Sequence, residues 1–456
     1  MMDQDLKDTL WKAANKLRGC LPASQYKDVV LGLVFLQHVC EIKWKSLADK
    51  VESPEIGRLT DQAMDEAMTD NPALAGMLPR HYHRVDPRRL GELVAILDQS
   101  GIGRHNRDLM GEVYEYFLGS FARAEGRRGG EFFTPPSVVR AIVEILQPGG
   151  GRVYDPCCGS GGMFVQTEQF ITARDGRPGD IAIFGQESVE DTWRLARMNL
   201  AVHGIDDTGL ARGDTFVCDE HAGVQMDYVM ANPPFNIKDW ARNEQDPRWC
   251  FGVPPAKNAN FAWIQHILSK LTPQGRAGVV MTNGSMSSNA AGEDEIRARI
   301  VAADLVSCMV ALPSQLFRNT GIPVCLWFFD KAKTRRAGQV LFIDARGFGQ
   351  LVDRAERALT DDEIIRIGQT YHAWLSRSIA YQDVSGFCGS ATLDEIRAAG
   401  YVLTPGRFVG ATAAQCDGEP ADEKIARLTT DLLAALDEYE RRDAVVREQL
   451  GRVQWH

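Results

Sequence analysis

A short apolar segment runs into an acid and a glycine-rich turn at Val153-Tyr154-Asp155-Pro156-Cys157-Cys158-Gly159-Ser160-Gly161-Gly162-Met163-Phe164. The pattern predicts a strand that ends at Asp155, a tight turn, and a helix that follows the turn. Glycine permits both the sharp turn and the close approach of a ligand to the backbone. The stretch is not a phosphate-binding P-loop, because the pattern G-x-x-x-x-G-K-[ST] does not occur in the sequence. ATP-driven translocation is therefore not expected of this chain.

The acid at this turn indicates a ligand that carries a positive charge. A carboxylate suits a cationic ammonium group better than a pyrophosphate, and the methionine part of S-adenosylmethionine carries such a group. We therefore expect this cofactor to lie against Asp155 and against Gly159, Ser160, Gly161 and Gly162. The alternative is a tight turn with a purely structural role.

Two more acids follow predicted strands further along the chain. The segment Ile183-Phe184-Gly185-Gln186-Glu187 is typical of a strand that ends in an acid, and Arg212-Gly213-Asp214 follows a third predicted strand. In dinucleotide-binding folds an acid after the second strand accepts hydrogen bonds from ribose hydroxyls. We expect Glu187 to bind the ribose of the cofactor and Asp214 to accept from the amino group of its adenine.

A further strand runs directly into two prolines at Asp227-Tyr228-Val229-Met230-Ala231-Asn232-Pro233-Pro234-Phe235. The two prolines fix φ and remove two N–H donors, which predicts a rigid loop whose carbonyl groups face outward. An amide side chain, outward carbonyls and an aromatic face suit a planar amine that is attached to a ring. The alternative is a proline-rich turn with a buried phenylalanine.

The predicted loop also suggests how such an amine could react. The lone pair of the amine is delocalised into the ring, so the nitrogen is a poor nucleophile. If the Asn232 side-chain oxygen and the Pro233 carbonyl accept its two hydrogens, the nitrogen becomes pyramidal and directs its lone pair at a methyl group. Phe235, which follows Pro234 in this rigid loop, would stack on the base and hold it. No strong base is required, because a sulfonium leaving group makes the transfer favourable and the site supplies positioning and electrostatics.

The spacing of apolar residues predicts four domains. Residues 1–128 show helical spacing and form a predicted N-terminal helical domain. Residues 129–345 alternate short apolar runs with helical stretches, which predicts an α/β domain with a mainly parallel, Rossmann-like sheet. Residues 346–420 are expected to form a mostly helical extension, and 421–456 a long amphipathic helix that pairs with another helix or packs back on its own domain. The predicted strands are Arg152–Tyr154, Ile181–Gln186, Gly209–Arg212, Tyr228–Ala231, Ala277–Thr282, Leu305–Leu312 and Cys325–Phe329.

The composition is that of an ordinary soluble globular protein, with 44% hydrophobic and 25% charged residues among 456. The longest apolar stretch, Val29 to Leu36, is far shorter than the roughly 20 residues of a membrane span, and the N-terminus lacks the features of a signal peptide. We therefore expect a cytoplasmic protein that does not enter a membrane. The ten cysteines form no C-x-x-C pair, and His81-Tyr82-His83 has no further ligands nearby in the sequence, so no metal site is expected. With a net charge of −10, binding to nucleic acid would need a basic local channel or a partner.

Taken together, the two loop motifs resemble the amino-methyltransferase family of S-adenosylmethionine enzymes, in which D-P-x-x-G-S-G and N-P-P-[FY] are paired signatures. The segment Gly130-Glu131-Phe132-Phe133-Thr134-Pro135-Pro136 is similar to the F-T-P element of DNA-adenine methyltransferases. The stretches at 10–19 and 312–317 resemble the methylation subunits, often called HsdM, of type I restriction-modification systems. The resemblance covers nearly the whole chain.

This resemblance implies a site-specific adenine DNA methyltransferase (EC 2.1.1.72) that methylates N6 of adenine in duplex DNA after the base is swung out of the stack. A separate specificity subunit would read the DNA sequence, with two methylation subunits around one specificity subunit and a restriction subunit in some assemblies. The N-terminal helical domain would serve DNA clamping or assembly, and the helix at 421–456 would bind the specificity subunit. The residues implied to lie against the methionine part of the cofactor are Glu131, Phe132, Phe133, Thr134 and Pro135.

Two other functions stay open at this point. The same site could methylate a different planar amine, namely cytosine N4, guanine N2 in RNA or a protein glutamine, although the helical N-terminal region and the long C-terminal helix disfavour this. The chain could also be a catalytically silent assembly component that retains the fold. The intact segments 155–162 and 232–235 disfavour that function.

Overall fold

The computed structural model of the chain describes residues 4–15, 17, 23–100, 107–125, 133–174, 176–177, 179–290, 292–317, 322–353, 356–376, 380–411, 425–430, 432–434, 436–437, 439 and 441–443. The chain forms two compact units, residues 1–410 and 411–456. None of the described helices has the length and apolar character that crossing a membrane requires.

The first unit begins with a bundle of helices, as the spacing of apolar residues predicts. Its core is built from side chains of every helix in the bundle, including the fully buried run at 30–36. A helix that is apolar on all sides is buried on all sides, which places the second helix at the centre of the bundle. Its described α-helices are α1 (Gln4–Asn15), α2 (Ala23–Val39), α3 (Glu41–Ala48), α4 (Ile56–Asp70), α5 (Pro87–Ser100) and α6 (Arg107–Glu125).

A sheet follows the bundle, and nine strands belong to it within the described part of the chain. These strands are β1 (Gly151–Asp155), β2 (Ile181–Glu187), β3 (Leu210–Arg212), β4 (Met226–Ala231), β5 (Leu271–Thr282), β6 (Val306–Ala311), β7 (Val324–Asp330), β8 (Gln339–Asp344) and β11 (Cys388–Thr392). Two strands that lie between β8 and β11 in the sequence, β9 (Gln350–Asp353) and β10 (Glu356–Ala358), pair with each other in a separate sheet. Their order is β11-β8-β6-β7-β5-β4-β1-β2-β3. β7 and β11 run antiparallel to their neighbours, and the other pairs are parallel.

Helices cover both faces of this sheet, as a parallel sheet requires. One face packs against α7 (Pro136–Leu146), α8 (Gly162–Thr172), α9 (Glu190–His203) and α12 (Asp361–Leu375). The other face packs against α10 (Asn260–Lys270), α11 (Glu293–Ala302) and α13 (Leu393–Ala398). Side chains alternate between the two cores along each strand, so Val153 belongs to one core and Tyr154 to the other.

The seven predicted strands are confirmed. Six of them differ from the prediction by one or two residues at an end, whereas β5 begins at Leu271, before the predicted start at Ala277. The structure adds β8 and β11 to the sheet, and the second of these lies in the region that was expected to be mostly helical. The sequence of β11, Cys388-Gly389-Ser390-Ala391-Thr392, has no alternation of apolar residues, and its conformation follows from antiparallel pairing with β8. The division into domains at 128, 345 and 420 stays a prediction.

Helix α9 belongs to two hydrophobic cores at once. Leu195, Met198 and Val202 pack in the core of the N-terminal bundle. Ala196 and Leu200, on another side of the same helix, pack in the core beneath the sheet. The bundle and the sheet therefore share one structural element.

The second unit is helical at its described residues from 425 to 443. Residues 421–424 and 444–456 of the predicted C-terminal helix lie outside the described part. Its apolar side chains recur at the spacing of one helix face, at Ile425, Leu428, Leu432, Leu436 and Tyr439. Each of these side chains is at least 50% exposed.

Gly209, just before β3, provides a test of the close pairing between β2 and β3. Its carbonyl accepts the Gly185 N–H at 2.9 Å, and a Cβ at Gly209 would overlap the backbone carbonyl of Ile183. Because backbone has to move to make room, we expect Gly209→Ala to lower the free energy of unfolding by about 1–3 kcal/mol. Chemical denaturation measures this. In the control, Gly149→Ala, the added methyl group meets open space, and equal stability of the two variants would contradict the close pairing.

Candidate active site

Four candidate residues lie at one edge of the sheet, where neighbouring parallel strands end. Asp155 is the last residue of β1 and Glu187 is the last residue of β2. Asp214 lies shortly after β3, and Asn232 directly follows β4. Since β3, β2, β1 and β4 are consecutive in the sheet and parallel, their carboxyl ends meet at the same edge. Ligands of open α/β sheets bind at this edge, where the strand order reverses.

The glycine-rich turn between β1 and α8 has the conformation that its sequence predicts. Gly159 and Gly161 have φ angles of 55° and 77°, in the left-handed region that side chains disfavour. The Gly161 N–H donates to the Cys158 carbonyl at 2.8 Å, and α8 begins at the next residue, Gly162. The turn thus brings backbone and the N-terminus of a helix to the carboxyl end of β1.

A buried asparagine of α9, which no sequence motif indicates, holds this turn. The Asn199 Nδ2 of α9 donates to the Ser160 carbonyl at 2.8 Å, and both residues are buried. Asn199 lies among apolar neighbours in a helix, so its partner becomes visible only when the fold brings α9 under the turn.

The Asp155 carboxyl group is buried beneath the turn, with 2% of its surface exposed. Its Oδ1 accepts from the Cys157 N–H at 3.0 Å. Burial raises the pKa of Asp155 to about 7, and the negative charge of Glu187 contributes in the same direction. A cation beside this carboxylate would offset the cost of its burial.

The Glu187 carboxylate connects the turn after β1 to the end of β2. Its Oε2 accepts from the Gly159 N–H at 3.1 Å, and its Oε1 accepts from the Val189 N–H at 2.8 Å. Burial raises the pKa of Glu187, while these hydrogen bonds act in the opposite direction. The Oε1 also accepts from the Ser188 hydroxyl at 3.4 Å, whereas the Oε2 can accept a second hydrogen bond from a ligand.

The third acid, Asp214, is exposed and caps its own turn. Its Oδ1 accepts from the N–H groups of Phe216 at 2.8 Å and Val217 at 3.3 Å. The turn carries Phe216 into an aromatic cluster with Trp240, Trp249 and Trp263, in which the Phe216 and Trp263 rings are 4.3 Å apart.

Polar side chains that the sequence did not indicate fix the loops around Asp155 and Asp214. The Thr215 hydroxyl donates to the Pro156 carbonyl at 2.6 Å, and the Arg248 guanidinium donates to the Thr215 carbonyl at 2.8 Å. Arg248 also contacts His266, whose Nε2 lies 3.1 Å from the Tyr154 hydroxyl. Burial, together with the charge of Arg248, lowers the pKa of His266 to about 3, so its ring is neutral.

The Asn232 side chain has one end bound and one end without a partner. Its Nδ2 donates to the Thr134 hydroxyl oxygen at 3.0 Å. Its Oδ1 is buried and accepts no hydrogen bond from any described residue. The following Pro233 is buried, and the half-buried ring of Phe235 packs edge-on against Phe317 at 6.2 Å. The Asn-Pro-Pro-Phe segment is therefore a fixed loop, and its amide oxygen is free to accept.

Two asparagines that no sequence motif indicates, Asn236 and Asn260, fix the end of the Asn-Pro-Pro-Phe loop. The Asn236 N–H donates to the Asn260 Oδ1 at 3.0 Å, and the Asn260 Nδ2 donates back to the Asn236 Oδ1 at 2.9 Å. Asn236 has a φ of 55°, and Asn260 begins α10. The paired amides hold the backbone in a conformation that side chains disfavour.

The segment around the F-T-P element is described from Phe133 onward. Phe133, Thr134 and Pro135 precede α7, and Thr134 meets the loop after β4 through Asn232. The predicted site residues Glu131 and Phe132 lie outside the described residues. Among the residues that are described, no group of three or more His, Cys, Asp or Glu side chains could hold a metal ion.

Comparisons with known proteins show the family to which this chain belongs. A sequence model of the family described as N-6 DNA Methylase matches residues 105–417, and a model of the HsdM N-terminal domain matches residues 6–67. The chain is 44% identical to the methylase subunit of the type I restriction enzyme HindI from Haemophilus influenzae, over 94% of this chain and 99% of that protein. The chain belongs to this family. It is a methylase subunit of the type I restriction-modification class, and the predicted family and the predicted enzyme class are confirmed.

More distant relatives of this methylase subunit are also methylase subunits of type I systems. It is 34% identical to the MjaIX methylase subunit of Methanocaldococcus jannaschii, over 98% of this chain and 91% of that protein. A type I methyltransferase subunit from Streptococcus thermophilus shares the fold with a TM-score of 0.71 at 23% identity, over 89% of this chain and 99% of that chain. The predicted α/β fold class with an N-terminal helical region is confirmed.

The burial of Asp155 predicts a pH dependence of stability in the methylase subunit. Its pKa is raised from 3.8 to about 7 on folding, so folding favours the protonated acid and this contribution is lost as the pH rises through 7. Replacing the acid by asparagine removes the cost of burying the charge. We expect the free energy of unfolding of Asp155→Asn, relative to that of the wild type, to rise by on the order of 2 kcal/mol between pH 5 and pH 8.

Chemical denaturation at the two pH values measures this difference. The control is Asp214→Asn, which replaces an exposed acid at the same edge of the sheet and should follow the pH dependence of the wild type. Parallel pH profiles for the wild type and Asp155→Asn would contradict the effect of burial.

Proposed function

We propose that this methylase subunit binds S-adenosylmethionine beyond the carboxyl ends of β1, β2 and β3 and transfers its methyl group to N6 of an adenine in duplex DNA. The observation that carries the proposal is the buried, unpartnered Oδ1 of Asn232. A buried acceptor without a partner costs about 1–3 kcal/mol, and an incoming amino group would remove that cost.

The residues after the first three strands fit the proposed cofactor. S-adenosylmethionine supplies a methyl group on a positively charged sulfur when it is bound. The buried carboxylate of Asp155 would attract the cationic end of the cofactor, because burial strengthens the attraction between opposite charges. Glu187 keeps acceptor capacity for the ribose hydroxyls, and Asp214 for the amino group of the adenine. Gly159 and Gly161 allow the turn to approach the ligand closely.

The loop after β4 fits the amine that accepts the methyl group. The Asn232 Oδ1 and the Pro233 carbonyl would accept the two hydrogens of the amine, which frees the nitrogen lone pair for attack on the methyl carbon. Transfer would form a nitrogen–carbon bond as the bond from the methyl carbon to sulfur breaks, and the methylated amine would release one proton to solvent. Phe235 would stack on the base, which has to leave the DNA stack to reach this edge of the sheet.

The charge and the C-terminal helix support a function within an assembly. A net charge of −10 gives the whole chain no general attraction for DNA. The exposed apolar face at Ile425, Leu428, Leu432, Leu436 and Tyr439 is suited to pairing with helices of another chain. We propose a specificity subunit as this partner, with a second methylase subunit beside it on duplex DNA and a restriction subunit in the larger assembly. One solved structure that shares the fold, with a TM-score of 0.64, concerns the complex assembly and conformational transition of a type I restriction-modification system.

A pair of variants tests the roles of the two halves of the site. Asn232→Ala removes the acceptor for the amine, and we expect the rate of methyl transfer to fall by at least about 10²-fold while the affinity for the cofactor stays the same. Glu187→Gln removes a charge but keeps the shape, and we expect the affinity for the cofactor to fall by roughly tenfold or more. Calorimetry measures the cofactor affinity of the two variants.

The transfer itself is measured on the complex with the specificity subunit, with labelled cofactor and duplex DNA that is digested to nucleosides afterwards. The proposal expects the label in N6-methyladenine. Label in N4-methylcytosine, or in RNA or protein but not in DNA, would refute the proposed acceptor. Cofactor binding without any transfer would indicate an assembly component without activity.

A second prediction concerns the exposed face of the C-terminal helix. Truncation before Ala421, or Leu428→Asp together with Leu432→Asp, should prevent co-purification with the specificity subunit, because a charge cannot be buried in an apolar helix pair without a large cost. The catalytic domain should keep its cofactor affinity. The control, Thr430→Asp, lies on the opposite side of the same helix and should still co-purify. Capture of the truncated chain by the specificity subunit would contradict the assignment.

A further inference from the structure

The amide of Asn232 is held by a residue that lies far away in the sequence. The Asn232 Nδ2 donates to the Thr134 Oγ1 at 3.0 Å, and this bond joins the loop after β4 to the segment that precedes α7. Both side chains are only partly exposed. The bond leaves the opposite end of the amide, the buried Oδ1, without a partner among the described residues.

The segment that carries Thr134 is anchored on both sides. The ring of Phe133 packs against the core of the N-terminal bundle, and it lies 3.5 Å from the position that a Cβ at Gly119 of α6 would take. Pro135 caps α7, and its carbonyl accepts from the Val138 N–H at 2.9 Å. The backbone at Thr134 is therefore held in place, because Phe133 before it is packed against the bundle and Pro135 after it is hydrogen-bonded to α7.

A side-chain amide without this support can rotate about its last torsion angle, which is broad in asparagine. Rotation would turn the acceptor oxygen away from an incoming amine or present the NH₂ group to it. Two donors facing each other cannot form a hydrogen bond. The position of the acceptor therefore depends on what holds the other end of the amide.

We propose that Thr134 is a positioning residue for the methyl-transfer step, and that it acts by holding the Asn232 amide so that its oxygen faces the substrate amine. The inference rests on the proposed function of Asn232. It gives Thr134 a role toward the substrate, in addition to the contact with the cofactor that the family resemblance implies for the F-T-P element. The hydroxyl is the group that matters, and the methyl group of Thr134 contributes packing only.

Two variants of Thr134 separate these contributions. Thr134→Val keeps the shape and removes the hydroxyl, and we expect the single-turnover rate of methyl transfer at saturating cofactor to fall by about ten- to hundredfold, the effect of a misplaced reacting group. Thr134→Ser keeps the hydroxyl and should stay within about threefold of the wild-type rate on the same argument. The dissociation constant for the cofactor, measured by calorimetry, should change by less than about threefold in both variants.

Thr60→Val is the control for replacing a hydrogen-bonded threonine hydroxyl by a methyl group. Thr60 is fully buried in α4, where its hydroxyl donates to the Ile56 carbonyl, and it lies in the N-terminal bundle. This variant should transfer methyl groups at the wild-type rate in the same complex with the specificity subunit and the target duplex.

Three results would overturn the inference while the proposed function stands. These are a wild-type rate in Thr134→Val, a Thr134→Ser variant as slow as Thr134→Val, or a loss of cofactor affinity that accounts for the whole loss of rate. Failure of the proposed function has a different signature, because the wild-type complex itself would then produce no N6-methyladenine.

Discussion

Parallel pairing of β1 with β2 on one side and with β4 on the other is the constraint on which the site depends. A parallel strand delivers its carboxyl end to the same edge as its neighbours, whatever the length of the helices between them. Asp155, Glu187 and Asn232 are far apart in the sequence, and this pairing alone brings them together. Their separate loops then need only local bonds, such as that of Glu187 to the Gly159 N–H, to acquire a defined shape.

Electrostatics divides the edge into two regions with different chemistry. On the side of β1 and β2, burial raises the pKa of both Asp155 and Glu187, and the two acids accept hydrogen bonds mainly from backbone N–H groups. On the side of β4, the Asn232 amide is neutral and has an oxygen without a partner. The first region suits a cation and the second suits a neutral amine. A reaction between a positively charged donor and an uncharged nucleophile requires this division.

The residues directly after the strands could be predicted because their signal is local. An apolar run followed by an acid, or by Asn-Pro-Pro-Phe, is visible within a dozen residues of sequence. The supporting contacts could not be predicted, because each joins distant segments. The bond of Thr215 to Pro156 and that of Asn199 to Ser160 have no signature in the surrounding sequence. The same holds for β11, since an isolated Cys-Gly-Ser-Ala-Thr segment has no preference for a strand until β8 offers it a partner.

Helix α9 has a consequence for the mechanics of the whole first unit. Its Leu195, Met198 and Val202 side chains belong to the bundle, its Ala196 and Leu200 belong to the sheet, and its Asn199 holds the Ser160 carbonyl. A rigid rod that is embedded in both parts transmits displacement from one to the other. The packing of the bundle and the position of the glycine-rich turn therefore share one helix, and a change in the placement of α9 would alter both.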